Sequence, residues 1–287
     1  MSEGKGPETG QFSEVWRRLR RNRAAVIGGV VVLLFIAIAI LAPLITPYDP
    51  NEGDLAQRLR SFSREHLLGT DALGRDLLSR VIYGARISLE IQIVSVSLAL
   101  VIGTLLGMVG GYYGGRLDHL IMRLMDILLA FPGIFLAISI IAALGPGLLN
   151  LMLAAGIYSV PQFARIVRGS ILTLKEKEFV EAARAVGESD VNILFRYLLP
   201  NSMAPIIIQT TLRMATVLLT ASGLSFLGLG VQPPTAEWGA MLSTARAYIV
   251  TAPHVATVPG LAIMLVVMGF NRFGDGLRDS LDPRLRD

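Results

Sequence analysis

Few residues in this chain are placed to make or break a covalent bond. Its three histidines, His66, His119 and His254, lie far apart in sequence, and there is no cysteine. Disulfides and thiolate ligands are therefore excluded, and the histidines read as unrelated loop residues, not as a metal site. No Ser/His/Asp arrangement suggests nucleophilic catalysis. No Gly-x-x-x-x-Gly-Lys-Ser/Thr run occurs, so this polypeptide cannot hold ATP in the P-loop manner. What remains is chemistry of contact and charge. One set of residues is Glu181-Ala182-Ala183, Gly187 and Leu199-Pro200, a polar stretch in an otherwise apolar chain. The other is a single cation, Arg213, inside a long apolar run.

The polar stretch needs a hairpin to present it. Residues 176–186 read as a short helix, with Phe179, Ala182, Ala183 and Val186 recurring at three- and four-residue steps on one face. Gly187 suits the left-handed position that ends helices. Ser189 or Asp190 can cap a second helix carrying Ile193, Leu194 and Tyr197 on one side. Pro200 stops that helix and fits the first turn of the next. Two adjacent alanines on the exposed face would let another backbone approach closely.

Around the hairpin the chain is membrane-grade. Of its 287 residues 53% are hydrophobic and 17% charged, against roughly 25% charged in soluble domains. The alternation of a membrane β-barrel is absent. The formal charge of +4 comes from arginines that flank apolar runs, which points to membrane orientation and not to nucleic acid. The expectation is an all-α protein with six transmembrane helices. Residues 1–23 form a cytoplasmic tail, 24–46 a first span and 47–85 an extracytoplasmic segment. Five further spans fill 86–272, near 87–109, 119–143, 148–164, 200–228 and 255–270. The polar loop 175–200 and an outer hairpin 231–254 interrupt them, and 273–287 is a cytoplasmic tail. Arg17, Arg18, Arg20, Arg21 and Arg23 hold the N-terminus inside by the positive-inside rule. Six crossings return the C-terminus and the polar loop to the same side.

Several smaller readings accompany this plan. Thr70-Asp71 and Gly74-Arg75-Asp76 read as turn and capping chemistry. Residues 110–115 read as a turn, and Phe131-Pro132-Gly133 as a kink at mid-membrane. Arg123 pairs with Asp126 three residues on, and Trp238 anchors at the interface. Arg213 lies about ten residues into the fifth span, roughly 15 Å of helix rise and near the bilayer centre. An arginine there costs roughly 2.5–3.5 kcal/mol if it faces lipid, so it should face the interior. It becomes a candidate for the translocation pathway, or for pairing with a second subunit.

The spacing from Glu181-Ala182-Ala183 through Gly187 to Leu199-Pro200 resembles the EAA loop of ABC importer permeases. Tyr197 stands where that family usually has an aliphatic residue. Leu68-Gly69-Thr70-Asp71 with Gly74-Arg75-Asp76 before that loop, and Leu224-Ser225-Phe226-Leu227-Gly228-Leu229-Gly230, Pro233-Pro234 with Trp238-Gly239, and Gly274-Asp275-Gly276-Leu277-Arg278-Asp279 with Leu281-Asp282-Pro283 after it, all occur in family order. Together they resemble the DppC/OppC type, the second permease of dipeptide and oligopeptide importers in the peptide/nickel branch. The resemblance implies the type I importer permease fold and no enzymatic activity in this chain. It implies a homologous permease partner, two ATPase subunits carrying ATP and Mg, and an extracytoplasmic binding protein. It further implies a peptide solute and the cytoplasmic membrane as location. Nickel, glutathione or oligosaccharide importers of the same branch would look alike. A stand-alone secondary transporter or channel is the rival from another class. Relatives often carry a glutamate where this chain has Ala221.

Overall fold

The computed structural model describes residues 16–281. Most of the expected N-terminal tail, residues 1–15, and Asp282-Pro283 of the last motif lie outside the described residues. Among the described residues the elements are helical, with two isolated bridges, Gly53 to Arg75 and Thr70 to Asp76. A helical stretch at 16–21 precedes α1, Arg23–Ile45, which begins where the Asn22 side chain accepts from the Ala25 N–H at 3.2 Å.

Residues 46–76 fold into a cap of turns over one end of the bundle. Asp71 organises it, accepting from the backbone N–H of Leu73 at 2.8 Å and of Arg75 at 3.0 Å. Its other oxygen takes the Arg75 guanidinium at 2.7 Å, with Arg80 at 3.4 Å. Asp76 accepts from Ser79 N–H at 2.7 Å and bonds His66 Nδ1 at 2.9 Å. That cap starts α2, Leu77–Tyr113, ten residues before the expected span. The turn and capping roles expected of both motifs are what the structure shows.

After Gly114, α3 (Gly115–Ala130) and α4 (Gly133–Leu144) meet at 92° across Phe131-Pro132. Pro132 cannot continue the ladder and forces Phe131 into an extended backbone, so the expected kink is a full break. The remaining long helices are α5 (Leu148–Leu174), α7 (Met203–Phe226) and α9 (His254–Leu281). Two short ones, α6 (Glu178–Ala185) and α8 (Trp238–Ala245), lie in the connections. By length and apolarity α1, α2, α7 and α9 can cross a membrane, and the bent α3/α4 pair makes a fifth crossing if it counts as one. That is short of the six expected. The helix left over is α5, whose 27 residues are diluted by Asn150, Gln162, Arg165 and Arg168.

Glycines set the helix spacing. On α2, Gly103, Gly107 and Gly111 recur every four residues against α5, and a Cβ at Gly107 would lie 2.5 Å from the Ala164 carbonyl oxygen. Small residues at that spacing bring membrane helices into backbone contact. A Cβ at Gly28 of α1 would lie 2.7 Å from Gly269 O, and one at Gly276 would meet Ala25. So α9 does not stop near 270. It continues through Gly274-Asp275-Gly276, where the glycines serve packing, not turns.

Two other readings change. Trp238 is no interfacial anchor: it is buried, and its Nε1 donates to Val81 O at 3.0 Å. Asp126 pairs with Arg165 at 2.5 Å, not with Arg123, and Asp118 takes Arg168 in a two-pronged contact at 2.5 and 2.6 Å. Sequence neighbours three apart lost to arginines presented by the packed helix α5. The bundle thus has two distinct ends. The 46–76 cap, α8 and the start of α9 share one, where Arg80 reaches Pro50 O and Pro234 O. The turn at Gly114, residues 175–202 and the starts of α1 and α7 share the other.

Candidate functional site

The hairpin between α5 and α7 is built as the spacing predicts, except that Ala183 is turned inward. Helix α6 is slightly shorter than expected, with Lys177 in the N-cap position. Its end is fixed by Gly187 at φ +82°, where Gly187 N–H donates to Arg184 O at 3.0 Å and Glu188 N–H to Ala183 O at 3.1 Å. Ser189 then caps the return segment, its Oγ accepting from Asn192 N–H at 3.3 Å. Residues Ile193–Leu198 are wound as a π-helical turn, with Leu199 N–H reaching Leu194 O. Pro200, which carries no N–H, sits in the first turn of the short helix Leu199–Asn201.

Of the set Phe179, Ala182, Ala183 and Val186 the inward face takes only Ala183, with Val180, so one of the two adjacent alanines expected on the exposed face is turned inward. Ala183 alone of that set is buried, against Val167 and Ile171 of α5 and Ile193, Leu194 and Leu198 of the return segment. An eight-residue helix offers two apolar stripes, and periodicity cannot tell which one meets the body. Ala182 remains outward beside exposed Glu181, and Pro200 is exposed while Leu199 is half-buried. Phe179 (38%), Val186 (79%), Val191 (60%) and Phe195 (50%) are exposed apolar side chains at the same end of the bundle. Glu178, Glu181 and Arg184 lie among them, also exposed. Apolar side chains rimmed by charge make a protein contact surface.

Tyr112 joins this hairpin to the bundle, and the sequence did not reveal it. It was expected in the turn 110–115, but α2 runs through it and only Gly114 and Gly115 turn, at φ +66° and +56°. The Tyr112 hydroxyl donates to Asp190 Oδ1 at 2.7 Å, and the Arg184 guanidinium lies 5.4 Å from its ring centre. The four-residue recurrence of Gly103, Gly107 and Gly111 was the available signal that the helix continues.

Arg213 lies on α7, half-buried, with no hydrogen bond or ion pair among the described residues. Its depth differs from the expectation. Leu212 packs at Gly274, and Gly276 packs at Ala25 near the start of α1. Arg213 is therefore level with the first turns of α1, not with the middle of the bundle. The first turns of α7 extend beyond the beginning of α1, which counting residues from the helix start could not show. Ala221 is buried among Val217 and Leu224, about 80° around the helix from Arg213, so the two do not share a surface.

Comparison with known proteins adds three findings. Residues 101–287 match the family described as binding-protein-dependent transport system inner membrane component, and residues 10–64 match the N-terminal TM domain of oligopeptide transport permease C. The chain is 49% identical over 275 residues to the dipeptide transport system permease protein DppC of Alkalihalophilus pseudofirmus, covering 96% of this chain and 90% of that protein. It is 50% identical over 276 residues to the glutathione transport system permease protein GsiD of Pectobacterium atrosepticum, covering 96% and 92%. Among solved structures it resembles a chain of the MetNI methionine ABC transporter, in an inward-facing form, with a TM-score of 0.61 and 19% identity over 72% of this chain and 98% of that one. The last likeness is one of fold. With the hairpin, the all-helical bundle and these matches in hand, the chain belongs to the inner membrane components of binding-protein-dependent transport systems.

Proposed function

We propose that the chain is a permease subunit of an ATP-driven importer and lines half of a pathway for dipeptides or oligopeptides across the cytoplasmic membrane. The observation that carries this is the outward surface of the hairpin, with Glu181, Ala182 and Phe179 exposed around a rigid Gly187 turn, in a chain of this family. ATP and Mg belong to two partner ATPase subunits that dock on that surface. A homologous permease completes the pathway, and an extracytoplasmic binding protein delivers solute to the opposite end. Helix α5 makes the sixth crossing, which leaves the hairpin and both termini in the cytoplasm.

Closure of the ATPases displaces the hairpins, and the bundle alternates between outward and inward openings. Arg213, level with the first turns of α1, then faces the inner mouth of the pathway. There its guanidinium meets the solute's carboxylate or an acid of the partner permease. Glutathione is the second reading, favoured by relatives named as glutathione permeases. It is itself a small peptide with free carboxylates. Tagged chain purified from native membranes tests the assembly. Co-purifying ATPase and a bound peptide are expected, whereas a chain isolated alone and active alone contradicts the proposal.

A further inference from the structure

We infer that Tyr112 is the brace through which the hairpin moves α2, and so a positioning residue for energy coupling; this rests on the importer reading above. Helix α6 is flanked by short loops at 175–177 and 186–189, and the chain joins the hairpin only to α5 and, through 199–202, to α7. A push on α6 can be absorbed by rotation about those loops unless something crosses them. Tyr112 does so, from the inner end of a helix joined to the hairpin by no direct chain connection. It is 9% exposed and holds both arms of the hairpin. Arg184 in the last turn of α6 covers its ring at 5.4 Å, and Asp190 at the start of the return segment takes its hydroxyl at 2.7 Å.

The ring also belongs to the buried cluster of Met108, Val167, Ile171, Val180, Ala183, Ile193 and Leu198. One side chain thus touches both arms and ties both to α2. From there the displacement has a stiff path. Gly103, Gly107 and Gly111 hold α2 against α5 at backbone contact, so the two helices move as one rod. The rod is 37 residues long on the α2 side, about 55 Å. Its far end carries Val81, which receives the Trp238 indole of α8. A movement at the hairpin therefore reaches the outer cap without passing through a loop.

The test uses the complete complex in proteoliposomes, with basal and solute-stimulated ATP hydrolysis and solute moved per ATP as readouts. Tyr112→Phe keeps the ring and loses the hydroxyl. It should lower solute moved per ATP by about ten- to a hundredfold, the range set by one hydrogen bond to a charged acceptor. Basal hydrolysis and ATPase content should stay at the wild-type level. Asp190→Ala should do the same, Asp190→Asn should largely restore coupling because it retains an acceptor oxygen, and the double variant should be no worse than either single. Unchanged coupling in Tyr112→Phe, additive losses in the double variant, or loss of the ATPase subunits from the complex would each overturn the brace. Wild-type complex with no solute-stimulated hydrolysis would instead count against the importer reading.

Discussion

Gly187 is where one side chain decides the most. At φ +82° an L-residue is strained, by about 1–2 kcal/mol for the left-handed region and more for a β-branched one. Nothing lies within 4 Å of a Cβ there, so the penalty of Gly187→Val is conformational and not a clash. The expected outcome is an intact complex whose ATP hydrolysis no longer responds to solute. Glu181→Lys reverses an exposed charge on the proposed docking surface and should weaken ATPase retention in the same preparation. Normal stimulation in both variants would reduce the hairpin to a connector. Arg213 makes a different demand. With no partner among the described residues, its replacement by Met should leave folding intact. Uptake of peptides with a free carboxylate should fall about tenfold, the worth of one charged hydrogen bond, while amidated peptides are unaffected. Equal losses for both would remove Arg213 from solute recognition.

Helix pairing was the least legible part of the sequence, for a physical reason. Local signals act within a few residues, and several of them worked. Gly187 ended α6, Ser189 capped the return, Asp76 capped α2, and Pro132 broke α3 from α4. Which stripe of α6 faces inward, which arginine Asp126 finds, and how deep Arg213 lies all depend on neighbours that packing alone supplies. The Gly103, Gly107 and Gly111 stripe is the exception, since its period advertises a contact without naming the partner. Gly107→Val would drive a branched side chain against Ala164 O, 2.5 Å from the Cβ position. It should cost about 1–3 kcal/mol of stability, in the range of overpacked cores. Gly169→Ala on α5 is the control. A Cβ there meets nothing within 4 Å, and alanine favours a helix by roughly 0.5–1 kcal/mol. Thermal unfolding in detergent should separate the two in opposite directions, and equal melting points would refute the close α2/α5 contact.

For the chain in its membrane, sidedness follows from the count of crossings. On the proposed count, with α5 as the sixth span, the hairpin would face the cytoplasm and the α8 connection outward. The chain has no cysteine, so single reporters are clean. An impermeant thiol reagent applied to intact cells should label Thr235→Cys and leave Ser189→Cys unlabelled. Labelling of Ser189→Cys would overturn the topology, and with it the access of an ATPase to the hairpin. The division of labour itself is open to a direct trial. The chain, its permease partner, the two ATPase subunits and the binding protein are reconstituted into vesicles, and uptake of labelled peptide is followed with ATP at the hairpin side. Uptake should require ATP and every subunit, and should vanish when the ATPases are omitted. Uptake by this chain alone, driven by an ion gradient and indifferent to ATP, would contradict the account.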